Sequence, residues 1–377
     1  MNQRVEEREW VQYQWPYLLA WLGGAARVDA LAFETGAFVR RRELQRPSDV
    51  LQLILTWSVA ERSLRETAAL AAEGEMADVS DVALLKRFRR AEAWLGALLG
   101  EYVMSRSGMW RGAYRVRLID ASAITRPGKK QTDLRLHLGI DLSTHRIDSV
   151  ELTDVKQGES LERFRFEPNE IVVADRGYAH RSGLAHVARA GAYFVVRIPW
   201  NNVPLESEDG SRFDIPAALE TLDDGGAAAF KVQFRTADGE CVPCRLVAIR
   251  KSEPAAEASR RKVAAERRKH GAIDLRTLQT AGYVFVLTNL PEKITPASVL
   301  ELYRLRWQIE MKFKTLKSVL HVGRLPVRSD ALAAVYIIAK LLVALVIEDL
   351  LASAESFSPW GYPLPSDQLL ACDPASA

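Results

Sequence analysis

Four residues near the carboxyl end of the chain, Tyr303, Arg306, Glu310 and Lys317, have types and spacings suited to phosphate chemistry. In a helix turning 100° per residue they fall within an arc of roughly 60°. A phenol, a guanidinium, a carboxylate and an ammonium then point the same way. Upstream, Asp120 ends the alternating apolar run YRVRLI (114–119), and Asp175 ends the continuous run IVVA (171–174). Each is expected at the carboxyl end of a buried strand, the edge of an open sheet where ligands gather. Three carboxylates without His or Cys form a hard-oxygen site of the kind Mg²⁺ or Mn²⁺ prefers. Two such ions can activate an attacking oxygen and stabilise the leaving oxygen of a phosphodiester. Tyr303, Arg306 and Lys317 would grip the flanking phosphates. A solvated helix face with an ion pair or two is the bland alternative for those four residues, and Asp133, Asp141, Asp148 and Asp154 are the bland alternatives among the acids.

The element that must carry the four is residues 295–320, read as one helix. Thr295 caps it, Pro296 fixes the first φ, and Leu302, Leu305, Ile309, Phe313, Leu316 and Leu320 form its apolar stripe. Strands are expected at 134–140 and 146–153, joined by DLSTH, and at 192–198 after a helix from about Ser182 to Ala190. A three-strand meander followed by strand–helix–strand implies a mixed sheet covered by helices. Residues 230–250 read as a hairpin turning at ADGE, 250–270 as a basic arm, and 282–290 as a returning strand.

Residues 10–100 read as helical. The segment 49–73, a break at Gly74 and a Ser80-capped helix carrying Lys86, Arg87, Arg89 and Arg90 outline a helix-turn-helix, with Arg40, Arg41, Arg42 and Arg46 upstream. A bundle helix with a basic outer face would look the same. A net charge of +3 gives no overall field, so DNA contact must come from such local patches. The 48% hydrophobic and 26% charged content is that of a soluble globular protein. The first thirty residues lack a secretion-signal pattern. The apolar stretch 331–347 carries Lys340 near its middle, which favours a buried helix over a membrane span. Cys241 and Cys244 form a lone CxxC, and the histidines show no ligand spacing, so neither marks a zinc site.

The pattern Y-x2-R-x3-E-x6-K resembles the signature of the insertion-sequence-four family of bacterial DDE transposases. LIDAS around Asp120 and IVVADRGY around Asp175 are similar to that family's first and second aspartate blocks, and the resemblance spans roughly residues 35–350. It implies an α/β fold: a ribonuclease-H-like mixed β-sheet core flanked by helices, with an all-α N-terminal domain and a β-rich insertion subdomain. The segments would be 1–110 (helical, binding DNA ends through Lys86, Arg87 and Arg90), 111–199 and 281–355 (catalytic core), 200–280 (insertion) and 356–377 (irregular tail). The catalytic and metal-binding residues would be Asp120, Asp175 and Glu310 with two Mg²⁺ ions, Mn²⁺ substituting. The reaction would be cleavage at insertion-element ends and attack of the 3′-OH on target DNA. The partners would be terminal inverted repeats and target DNA, bound by a homodimer, in the cytoplasm at the nucleoid. Relatives can cut the second strand through a hairpin, with an aromatic residue of the insertion receiving a flipped base; here the corresponding position is Val284, beside Tyr283. The alternative is a truncated, catalytically impaired copy that only binds DNA, and a stand-alone metal nuclease is a third reading.

Overall fold

The computed structural model describes residues 15–106, 114–125, 134–154, 156–223, 225–267, 274–322, 325–327 and 329–356. Residues 268–273 at the end of the basic arm, Asp133, and the tail from 357 onward lie outside them.

Eight strands form one sheet in the order β3-β2-β1-β4-β5-β8-β7-β6. β1 (Arg115–Ile124), β2 (Leu134–Asp141) and β3 (Ile147–Asp154) make the antiparallel meander. β4 (Glu170–Ala174) lies parallel to β1, and β5 (Tyr193–Arg197) parallel to β4. This five-strand order with β2 antiparallel to its neighbours is the ribonuclease-H-like arrangement. β8 (Tyr283–Thr288) then pairs antiparallel with β5, and the hairpin of β6 (Ala227–Arg235) and β7 (Cys241–Arg250) continues outward from it. The strands contributed by residues 200–280 thus extend the same sheet.

The run IVVA is buried because β4 is central and covered on both faces. Its side chains alternate: Ile171 and Val173 join one core, Val172 and Ala174 the other. The second core is closed by α7 (Arg181–Arg189) and α8 (Ile215–Glu220). The first is covered by α13 (Asp330–Ser356) and by the helices preceding the sheet: α1 (15–21), α2 (Ala25–Glu34), α3 (Pro47–Val59), α4 (Leu64–Glu73), α5 (Asp81–Phe88) and α6 (Glu92–Ser105). α9 (Glu253–Arg267) and α10 (Leu275–Thr280) connect β7 to β8.

α13 is long and apolar enough to cross a membrane, but it is the core helix here, with Leu341, Ile337 and Leu345 fully buried. Lys340 is 1% exposed, and its ammonium meets Glu61 at 2.8 Å.

Three sequence expectations need correction. Residues 49–73 form two helices, α3 and α4, because Ser63 starts a new one: its hydroxyl accepts from the Glu66 N–H at 3.2 Å, and Glu66 accepts from the Ser63 N–H at 2.7 Å. The Ser80-capped segment likewise splits into α5 and α6. Residues 295–320 are also two helices, α11 (Pro296–Arg304) and α12 (Trp307–Val319). At the break the Arg306 and Ile309 N–H groups bond three residues back, to the carbonyls of Tyr303 and Arg306, tightening the turn. The expected start holds: Thr295 accepts from the Ser298 N–H at 3.2 Å, with Pro296 in the first turn.

Candidate active site

Asp120 lies inside β1, which continues to Ile124, and not at its end as the apolar pattern suggested. The physical reason is a change of partner. Pairing with β4 stops at Ile119↔Ala174, while pairing with β2 runs on to Ile124↔Leu134. Asp120 is therefore the first β1 residue beyond the parallel pair, at the place where Asp175 leaves β4. Asp175 precedes a 3-10 turn at Arg176–Tyr178. The two aspartates, distant in sequence, share one edge of the sheet.

Tyr303, on α11, donates its hydroxyl to Asp175 Oδ1 at 3.1 Å. Arg306, at the start of α12, spans the other two carboxylates: Nη1 lies 3.5 Å from Asp120 Oδ2, and Nη2 donates to Glu310 Oε1 at 2.6 Å. Its guanidinium also sits 5.8 Å from the Tyr303 ring centroid. Further along α12, Lys317 Nζ donates to the carbonyl of Ala123 on β1 at 3.4 Å. All six of these expected residues thus come together. An open cleft of about 490 Å³ beside them is lined by Asp120, Ser122, Glu310, Phe313, Lys314 and Lys317.

The electrostatics follow from burial in a carboxylate-rich corner. The Asp120 carboxyl is pushed up to about 6, first by burial and further by the charges of Asp175 and Glu159, although the Ala121 N–H and Arg306 pull it down. Burial and then the Asp175 charge push the Tyr303 phenol up to about 12, so it remains a donor at neutral pH. Burial opposes the Arg306 charge, yet the bond to Glu310 and the surrounding negative charges hold it above its ordinary range.

This donor set suits a hard divalent cation. Two carboxylates meet at this corner: burial is the main cause that raises Asp120, the Asp175 charge adds to it and Arg306 opposes it, and their oxygens are the ligand type such an ion prefers. Glu310 is 57% exposed and turned onto Arg306, so among the described residues no three acidic, His or Cys side chains are gathered as a ready-made metal cluster.

Two neighbours escaped sequence reasoning. Tyr178, fully buried, approaches the ring of the equally buried His137 at 3.3 Å, and His137 in turn meets Thr153 at 3.0 Å. This chain ties the turn after Asp175 to β2 and β3. Glu159 lies against Gly177 of the same turn. No spacing in the sequence signals either one. Lys86, Arg87 and Arg90 lie on α5 and the turn after it, in the helical region, with no described contact to the carboxylates. Lys86 and Arg90 are exposed. Arg87 stacks on Phe38 at 5.1 Å, and burial followed by the charges of Arg42 and Arg90 lowers its pKa. The cluster is therefore crowded with positive charge. Val284 is half-buried and Tyr283 buried on β8, so neither offers an exposed aromatic face.

A family model described as a transposase DDE domain matches residues 111–346. The chain is 36% identical over 354 residues to the putative transposase InsL for insertion sequence element IS186A of Escherichia coli strain K12, covering 92% of this chain and 96% of that one. The transposase for insertion sequence element IS421 of Escherichia coli is likewise 36% identical over 355 residues, with the same coverage. The transposase for IS231F of Bacillus thuringiensis subsp. israelensis is 26% identical over 243 residues, 55% of this chain and 50% of that one. Among solved structures, a piggyBac transposase synaptic complex with hairpin DNA is similar at a TM-score of 0.46 and 12% identity, covering 88% of this chain and 72% of that one.

Proposed function

The chain belongs to the DDE transposases of bacterial insertion elements, enzymes that cleave and join DNA with divalent metal ions, and from that premise we propose how its own residues do so. Asp120 and Asp175 would hold Mg²⁺ or Mn²⁺, with Glu310 joining them once it leaves Arg306, as the ligand set for two ions. Metal held there would lower the pKa of an attacking water or 3′-hydroxyl and offset charge on the leaving oxygen. In cleavage, the water oxygen bonds to phosphorus, the P–O3′ bond breaks, and a free 3′-hydroxyl is left at the element end. In transfer, that hydroxyl bonds to a target phosphorus and displaces a target 3′-oxygen.

Arg306 has two roles in this scheme. Without DNA it balances Asp120 and Glu310, and with DNA it turns to a phosphate, where its planar fork can bond two oxygens. Tyr303 keeps its proton and remains a neutral donor beside Asp175. Lys317 supplies a second cation lining the cleft. Lys86, Arg87 and Arg90 bind the phosphate backbone of the terminal inverted repeats, and two copies acting together at the nucleoid hold two ends. The observation that carries this reading is the convergence on Arg306 and Tyr303 of three carboxylates from three separate elements.

The test uses a duplex carrying the terminal inverted repeat that flanks this reading frame, with Mg²⁺. The parent should nick at the repeat boundary. Glu310→Gln, which keeps the size and loses the charge, should bind the duplex equally and fail to cut. Undiminished cutting by Glu310→Gln would remove Glu310 from the site.

A further inference from the structure

Glu159 belongs to no motif and lies in the connection between β3 and β4. The chain around it is anchored on both sides. Leu161 is fully buried, with its Cβ against Gly183 of α7, and Arg163 donates back to the Gly158 carbonyl at 3.1 Å. Held this way, the Glu159 carboxylate reaches the 3-10 turn that follows Asp175. It rests on Gly177 so closely that a Cβ at that residue would fall inside it. Gly177 has no left-handed φ, so its lack of a side chain serves contact and not backbone conformation. The nearest described cation is Arg135, whose Nε is 3.8 Å from Glu159 Oε1, too long for a hydrogen bond. The negative charge of Glu159 is felt at both Asp120 and Tyr178.

Glu159 is therefore a fourth carboxylate facing the same corner, yet it does not complete a three-ligand group with Asp120 and Asp175. A hydrated Mg²⁺ or Mn²⁺ keeps several of its waters, and these need acceptors just beyond the protein ligands. We propose that Glu159 is a positioning residue of the site, seated on Gly177 to accept hydrogen bonds from the water shell of a divalent ion held by Asp120 and Asp175. Gly177 is then the gap through which the carboxylate reaches. This inference rests on the metal-holding role given to the two aspartates under the proposed function.

The test is Mn²⁺ binding to the full chain without DNA, read from the electron paramagnetic resonance signal of free Mn²⁺. Four proteins are compared: the parent, Asp120→Asn, Glu159→Gln and Gly177→Ala. Asp120→Asn should lose most binding. Glu159→Gln keeps the shape on Gly177 but removes charge, and should weaken binding by about 10- to 100-fold. Its thermal midpoint without metal should match that of the parent, because a purely structural role is met by glutamine. Gly177→Ala should evict the carboxylate and weaken binding to a similar degree, and combining it with Glu159→Gln should add little. Parent-like affinity in Glu159→Gln alongside loss in Asp120→Asn would overturn this inference and leave the site intact. Parent-like affinity in Asp120→Asn would overturn the reading of the site itself. If Gly177→Ala fails to fold, Glu159→Gln decides alone.

Discussion

Acidification should destabilise this protein through one buried histidine beneath the candidate site. His137 on β2 is wholly shielded from solvent, between the Tyr178 hydroxyl and Thr153 Oγ1. Burial, followed by the charges of Arg163 and Arg135, pushes its pKa from the ordinary 6.5 down to about 4. Between these values the unfolded chain takes up a proton that the folded chain refuses. Stability therefore rises with pH across the window from about 4 to 6.5, is complete above it, and is lost as pH falls through it. A tenfold difference in proton affinity between folded and unfolded chain corresponds to about 1.4 kcal/mol, so the ceiling is about 3 kcal/mol, of which about 2 kcal/mol is already lost at pH 5. The assay is urea unfolding of the parent and of His137→Gln at pH 7 and pH 5. Carboxylates elsewhere titrate alike in both proteins, so the difference between the two pH-dependent losses isolates His137. The parent should lose about 2 kcal/mol more than the variant between these pH values. Equal losses would refute the claim that the imidazole is held neutral. Because His137 backs Tyr178, the same acidification should loosen the turn that carries Asp175.

Two further outcomes follow from other parts of the molecule. Glu61→Ala strips the buried ammonium of Lys340 of its partner inside α13. Glu61 is itself 44% exposed, so the expected loss in urea unfolding is about 1–3 kcal/mol, below that of a fully buried pair, and an unchanged midpoint would show that water already serves Lys340. Lys86→Ala or Arg87→Ala should weaken duplex binding across sequences and lower the salt slope by about 1, while single-turnover cleavage at saturating DNA is unchanged; an unaltered affinity would take α5 out of the DNA interface.

Much of the fold was legible because its signals are local. IVVA had to be a doubly covered strand, Thr295-Pro296 and Ser80 mark helix starts, and the change of period near residue 114 marks the first strand of the sheet. The break after α3 was also written locally, in the Ser63–Glu66 capping box, though the apolar periodicity running through it suggested one helix. Other features have no local signature. The partner of Lys340 sits in a turn between α3 and α4, far away in sequence, and Glu159 meets Gly177 only once α7 has anchored Leu161. Asp120 was singled out by the apolar run before it, but its place within β1 depends on β4 ending before β2 does.

The break between α11 and α12 shows how four residues at helical spacing can belong to two elements. A straight helix would aim Tyr303, Arg306, Glu310 and Lys317 along one stripe toward one target. The chain contains neither Gly nor Pro at Leu305–Arg306, so nothing local asks for a bend. The two halves instead pack on different strands: α11 against β4, β5, β6 and β7, α12 against β1. Tyr303 therefore travels with the half facing Asp175, while Arg306 and Glu310 begin the half facing Asp120. The bend divides the motif between the two aspartates. It also puts Arg306 at the joint, where a small change in helix angle alters its distance to Asp120 and Glu310 together. A guanidinium placed there couples both carboxylates to the angle of the bend, as a residue in the middle of a rigid helix would not.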